Sequence, residues 1–351
     1  MLLEPDELKK SSAINPEVFE FTEKNPSPPL DWSDATALKS LMVIVTAANM
    51  NQLGPAESSI EESERQIPMR DGYESTIKIH KPASKPSAGS PLVVLIFGGG
   101  FVSGAVDQMT PQARALVRQF SAVAVNISYR LGPENKWPVP SNDAWDSLKW
   151  VAAHAAELGA DPSKGFIVGG ISAGATHALA LTNLSLQEKL DPPLTGQYLC
   201  IPGIMDAQHV PEKYKEYFLS REHNAHAPIL DAAALNALTA HLEWDDMSPL
   251  RFPVLFQDKI PLSSLPPTYF QVCGMDPIRD DGLIYEEMLK EAGAKTKMDF
   301  YPGCPHGHWA FMPGIEVSNK ALGETMVGFG WLLGKELSVE DGLGAMMPKA
   351  A

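Results

Sequence analysis

Residues 92–97, 122–127, 166–168 and 269–272 are apolar runs of strand length, with helical segments at 144–158 and 283–292 between and after them. A continuous apolar run suits a strand covered on both faces, which is the environment of a parallel sheet. Strand and helix recurring at this rhythm predict an α/β fold, a mostly parallel central sheet flanked by helices. Residues 66–69 and 75–80 alternate instead like exposed strands, with Asp71 and Gly72 as the hairpin turn between them. A chain of 351 residues buries a substantial core with this plan.

Two stretches fall outside the rhythm. Residues 203–262 are rich in Met, Trp, Tyr, Phe, His and Pro and show helical fragments without core strands. Inserted between sheet strands, such a segment reads as a lid over a pocket. Near the N-terminus Trp32, Ala35, Leu38, Leu41, Met42 and Val45 recur at helical spacing, so one face of that helix is expected to pack. The divisions expected are helices over 1–64, core over 65–202, the insertion over 203–262 and core again over 263–351, with 342–351 as a loose tail.

The segment 166–175 carries the chemistry. It runs strand, tight turn, helix, and the turn is Gly170-Ile171-Ser172-Ala173-Gly174. This G-x-S-x-G spacing lifts a serine hydroxyl clear of the sheet, because Gly170 and Gly174 remove side chains that would collide across the turn. Ser172 is the candidate nucleophile, and the helix behind it aims its N-terminus at the site. Phe97-Gly98-Gly99-Gly100-Phe101 follows another buried strand. Three consecutive glycines are costly in chain entropy, so the backbone itself is wanted there. Gly99, Gly100 and Ala173 are the candidate N–H donors to an oxygen that becomes negative during acyl transfer.

A serine hydroxyl needs a base, and the base an orienting carboxylate. Residues 268–274 form a strand ending in glycine, and Asp276 follows where a strand end would deliver a carboxylate. Asp280 and Asp281 read as acids at a helix N-terminus that complement its dipole. Residues 297–301 are the last strand, followed by a turn and by His306 and His308. His306 is chosen as the base, and His308 lines the entrance or packs beside Trp309. His177, His223, His226 and His241 are assigned packing or surface roles, and no pair of histidines has metal spacing.

The formal charge of −15 excludes the basic footprint that nucleic acid or an anionic membrane surface requires. No apolar stretch is long enough to span a bilayer. The first residues, Met1 to Asp6, carry neither the basic nor the long apolar region of a secretory signal. Cys200, Cys273 and Cys304 form no disulfide framework or zinc pattern, which fits a reducing compartment. The chain is therefore expected in the cytoplasm.

Taken together, these motifs resemble the hormone-sensitive-lipase-like branch of the α/β-hydrolases, over about residues 67–331. Residues 97–101 are similar to its oxyanion motif, 170–174 to its elbow, 129–134 (Tyr-Arg-Leu-Gly-Pro-Glu) to the segment after its next strand, 276–280 to its acid loop and 305–307 to its histidine loop. Two positions depart from the pattern: Phe97 stands where the branch has histidine, and Ile171 where bacterial members commonly have Asp. The resemblance implies a helical cap made of the N-terminal helices and residues 203–262. It would place Phe97, Phe101, Ile171, Met205, Trp244 and His308, with Tyr217, Phe218 and Met247, near the pocket. It also implies a homodimer through a core edge strand or the last helix.

The expected activity is serine-dependent cleavage of a small or medium-sized carboxylic ester, including esters of natural products in secondary metabolism, with no metal or organic cofactor. Two alternatives share the fold: a triad acyltransferase, lyase or cyclase that excludes water, and a non-catalytic ligand-binding protein.

Overall fold

The computed structural model describes residues 2–26, 30–84 and 86–347. Eight strands form one sheet: β1 (Ile60–Pro68), β2 (Glu74–Pro82), β3 (Leu92–Ile96), β4 (Val123–Ile127), β5 (Phe166–Ile171), β6 (Gly196–Cys200), β7 (Thr268–Met275) and β8 (Thr296–Pro305). Their order across the sheet is β1-β2-β4-β3-β5-β6-β7-β8. The hairpin pair β1–β2 and the pair β2–β4 are antiparallel, and every other neighbouring pair is parallel. All residues of β3 and β4 are buried, as their unbroken apolar sequence requires.

Two strands differ from the reading of the sequence. β1 begins at Ile60, before the division at residue 65, and its outer positions Glu61, Ser63, Glu64 and Arg65 are exposed. β6 has no apolar run to announce it. Its Gln197 is fully buried because its side-chain amide donates to Thr268 Oγ1 on β7 at 2.8 Å, and the Tyr198 hydroxyl donates to Gln271 of the same strand. Polar residues that bond to one another across a strand pair leave no hydrophobic signature.

The C-terminal stretch also departs from expectation. Residues 339–346 form the helix Val339–Met346, capped by Ser338 and packed against the helix Glu316–Leu332, with Gly342 meeting the backbone of Gly323. Residues 348–351 of the expected tail lie outside the described residues, as do Met1 and residue 85 of the connector between β2 and β3. The helix Ala35–Leu53 packs at its two ends: Asp34 caps it, Ala35 and Leu38 are buried at the start and Leu53 at the finish, while Leu41, expected on the packed face, is exposed.

The parallel arrangement brings the C-terminal ends of β3, β5, β7 and β8 to one edge of the sheet. That edge is covered by Trp32 and by residues 229–251, which meet each other through two hydrogen bonds: the Trp32 indole donates to Ile229 O and His241 Nε2 donates to Trp32 O, both at 2.9 Å.

Candidate active site

Ser172 stands between β5 and the helix Ala173–Gln187 with φ 56° and ψ −118°. A side chain with a positive φ of this kind costs about 1–3 kcal/mol and persists only where the surroundings enforce it. Here they do. The Ser172 N–H donates to Cys200 O at 2.8 Å, and a Cβ on Gly174 would overlap the Ile96 carbonyl of β3. The turn is therefore wedged between two strands that only a glycine lets approach.

β8 ends at Pro305 and delivers His306; Asp276 directly follows β7. His306 Nε2 lies 2.9 Å from Ser172 Oγ, and its Nδ1 lies 2.7 Å from Asp276 Oδ2. An ionised carboxylate only accepts, so Nδ1 carries the proton and Nε2 is free to accept from the serine hydroxyl. The other carboxylate oxygen of Asp276 accepts from the Ile278 N–H at 2.9 Å, and Asn224 holds the loop through Gly274 O and Asp276 O. Asp276 and His306 are both buried. This is a proton-transfer chain from a hydroxyl through an imidazole held in one tautomer.

Beside it, Phe97 is buried and stacks on Tyr129 with ring centroids 4.4 Å apart, while the Tyr129 hydroxyl donates to Phe97 O at 3.1 Å. Stacking and one main-chain bond thus hold the start of the glycine loop. Farther along, Gly99 O accepts from the N–H groups of Val102 and Ser103, closing a tight turn. Among the described residues the N–H groups of Gly99, Gly100 and Ala173 donate to no protein atom. Gly100 has φ +62°, and a Cβ there would lie 2.6 Å from Leu238 and 2.9 Å from Trp32. The loop backbone is thereby pressed directly under the covering segments.

Comparison with known proteins agrees with this fold. A family model described as the alpha/beta hydrolase fold matches residues 93–310. The chain belongs to the α/β-hydrolase fold family. The matched family is the hormone-sensitive-lipase-like branch. An "AB hydrolase superfamily protein" of Schizosaccharomyces pombe is 31% identical over 95% of this chain and 98% of its own length. Versiconal hemiacetal acetate esterase of Dothistroma septosporum is 35% identical over 69% of this chain and 74% of its own. Among solved structures, vibralactone cyclase superposes with a TM-score of 0.85 at 29% identity, covering 93% of this chain and 96% of the other.

In this α/β-hydrolase the cavity over Ser172 is lined by Trp32, Gly100, Phe101, Ala173, Thr176 and Arg251, with Gly203, Leu230, Leu235, Leu238 and Ile278 completing the wall. Of the nine pocket residues expected from the sequence, Phe101 is in place and eight are not. Phe97 points into the core against Tyr129. Ile171 packs on the core below the elbow, and Met205 is buried within it. Trp244 stands behind Arg251, with the guanidinium 4.2 Å from its ring. His308 is fully buried between Tyr301 and Trp309, and burial lowers its pKa to about 4. Tyr217 and Phe218 pack on the core, and Met247 is exposed to solvent.

The lining residues missed from sequence divide in two. Thr176 sits one turn after Ser172 and Ile278 two residues after Asp276, so their places were implied by the motifs. Trp32, Leu235, Leu238 and Arg251 come from segments with no strand register, and only the folded chain brings them over the serine.

Asp280 and Asp281 occupy the first turn of the helix Arg279–Glu291, but a dipole partner is not their main role. Asp280 accepts from the amides of Leu219 and Ser220, and Asp281 from those of Ile204 and Met205. Asp281 also pairs with Arg221 at 2.9 Å; burial outweighs these partners and raises its pKa to about 6. Elsewhere, His177 is buried between Tyr129, Phe101 and Trp137, where burial lowers its pKa to about 3. Among the described residues, no group of three His, Cys, Asp or Glu side chains is placed to hold a metal ion.

Proposed function

We propose that this chain is a carboxylesterase-type serine hydrolase that works through an acyl-enzyme on Ser172. The observation that carries the reading is the hydrogen-bonded sequence Ser172–His306–Asp276, 2.9 and 2.7 Å, at the tip of a strained elbow. His306 takes the Ser172 proton as Oγ bonds to the ester carbonyl carbon, and the developing oxyanion is met by the N–H groups of Gly99, Gly100 and Ala173. The carbon–oxygen bond to the alcohol breaks with the proton returned from His306. Water, deprotonated by the same imidazole, then releases the acid. Asp276 holds the ring in its tautomer and stabilises the imidazolium. No step calls on a metal or an organic cofactor.

Residues before β1 together with 203–262 act as the cap. Trp32, Leu230, Leu235 and Leu238, which line the cavity, support this assignment. Such walls suit short-to-medium acyl esters or a compact natural product better than an extended lipid. No described helix is long and apolar enough to cross a membrane. Three unpaired cysteines support residence in the cytoplasm. The homodimer stays within the proposal, to be tested by light scattering.

Labelling with a fluorophosphonate, read by intact mass, tests the nucleophile, and turnover of p-nitrophenyl esters tests the reaction. Ser172→Ala is expected to lose the label and to lower kcat by about 10⁴–10⁶-fold. Retained turnover in that variant overturns the mechanism. The likeness to a cyclase favours one second reading, in which a nucleophile of the substrate itself replaces water at the acyl carbon. Product analysis by mass spectrometry separates them, since hydrolysis adds the mass of water and ring closure does not.

A further inference from the structure

Arg251 lines the cavity shared with Ser172 and is the one basic side chain in that wall. Its guanidinium lies against three rings, 4.2 Å from Trp244, 4.5 Å from Phe252 and 5.5 Å from Phe101. Nη1 donates to Gly203 O at 2.9 Å. Nε is buried without a partner, and among the described residues no carboxylate lies within ion-pairing distance of the group. The nearest buried acid, Asp281, is engaged by Arg221 and by two backbone amides. Burial lowers the Arg251 pKa to about 10, so the side chain still carries its charge at neutral pH.

The unused edge has a known use within this same molecule. Nε and Nη2 are the adjacent donors that grip a carboxylate side-on, as in Arg70 with Asp146 at 2.8 and 2.9 Å, Arg114 with Glu62 at 2.7 and 3.0 Å, and Arg130 with Asp143 at 2.8 and 2.7 Å. Arg251 has the same pair of donors, and among the described residues neither is hydrogen-bonded to a protein atom. Arg251 is half-buried, and a charge that has lost part of its hydration without a counter-ion is costly, a cost that aromatic faces offset only in part. We infer that Arg251 docks a carboxylate of the substrate, so that the esters this site takes are half-acids or acylated hydroxy acids. The inference rests on the ester-hydrolase reading and names its substrate class.

The net charge of −15 repels an anion on approach, so any preference for one must arise locally at the pocket. Two matched pairs test it: mono-p-nitrophenyl glutarate against its methyl ester for a carboxylate on the acyl side, and 4-acetoxybenzoate against its methyl ester for the alcohol side. In the wild type, kcat/KM for the anionic member of at least one pair is expected to exceed that of its neutral twin by roughly tenfold or more, mostly through KM. Arg251→Gln is expected to bring that ratio close to one, and Arg251→Lys to restore part of it. The ratio within each protein is the readout, so a variant with lowered absolute rates still reports. Neutral members favoured or equal in both wild-type pairs, or a preference that survives Arg251→Gln, overturns the inference. If neutral esters are cleaved without an anion preference, only the Arg251 assignment fails. If no ester is cleaved and Ser172 takes no label, the hydrolase reading falls and this inference with it.

Discussion

At Phe97 the branch pattern asks for a histidine, and the structure gives the position a different way of holding the glycine loop. A histidine there would fix the loop with side-chain hydrogen bonds. Phe97 instead stacks on Tyr129, and the Tyr129 hydroxyl reaches back to the Phe97 carbonyl. The pair works as a unit, so Tyr129→Phe is the informative change: it keeps the ring and removes only the hydroxyl. Leaving the buried Phe97 carbonyl without that donor is expected to cost about 1–3 kcal/mol of stability in chemical denaturation. Because the adjacent amides act chiefly on the transition state, kcat should fall by roughly 3–10-fold with KM little changed. An unchanged kcat would separate the stack from catalysis. Sequence placed Ser172, Asp276 and His306 through strand ends and fixed spacings, and the folded chain brings those three side chains into hydrogen-bond contact. His308 takes the second of the two places open to it, beside Trp309, whereas Met205 was misplaced because membership of the inserted segment says nothing about which way a side chain faces. Both turn into the core.

Among the elements, the loop from Asp276 to Asp281 has two tasks. One end orients His306; the other holds the backbone of 204–205 and 219–220 through buried carboxylates. Asp281 shows the cost of the second task. Its pKa is raised to about 6 by burial, so the folded protein binds this proton more tightly than the unfolded chain. Stability from that proton is fully present below the ordinary aspartate value near 4 and is lost as pH rises to about 6. Asp281→Asn does not titrate. The stability of the variant relative to wild type should therefore climb between pH 4 and 6, by roughly 1.4 kcal/mol for each pH unit between the two values, and then level off. Urea unfolding at pH 4, 5, 6 and 7 measures it; a constant difference would mean that Arg221 holds the carboxylate ionised throughout. The core strands were legible because burial on both faces demands unbroken apolar sequence. β6 was not, since the Gln197 amide and the Tyr198 hydroxyl donate to β7, a partner some seventy residues away in the chain.

For the molecule as a whole, the sheet fixes the chemistry and distant segments fix the room above it. Four strand ends carry the reacting groups, whereas the cavity walls come from near the N-terminus and from the insertion after β6. These two segments are joined at Trp32, whose indole and carbonyl bond Ile229 and His241 while its ring faces Gly100. No local pattern announces that junction, because each partner lies about two hundred residues from Trp32. Trp32→Ala removes the indole donor and a large part of one wall, leaving the strand ends untouched. It is expected to lower stability by only about 1–3 kcal/mol, since the side chain is partly exposed and lies outside the main core. Its larger effect should be on selectivity. With the wall opened, kcat/KM for p-nitrophenyl decanoate relative to acetate should rise about fivefold or more, a change on the scale of one or two added methylenes in an apolar pocket. If the ratio stays at the wild-type value while limited proteolysis before β1 speeds up, Trp32 serves to tie the two segments together and the acyl chain lies elsewhere, against Leu230, Leu235 and Ile278.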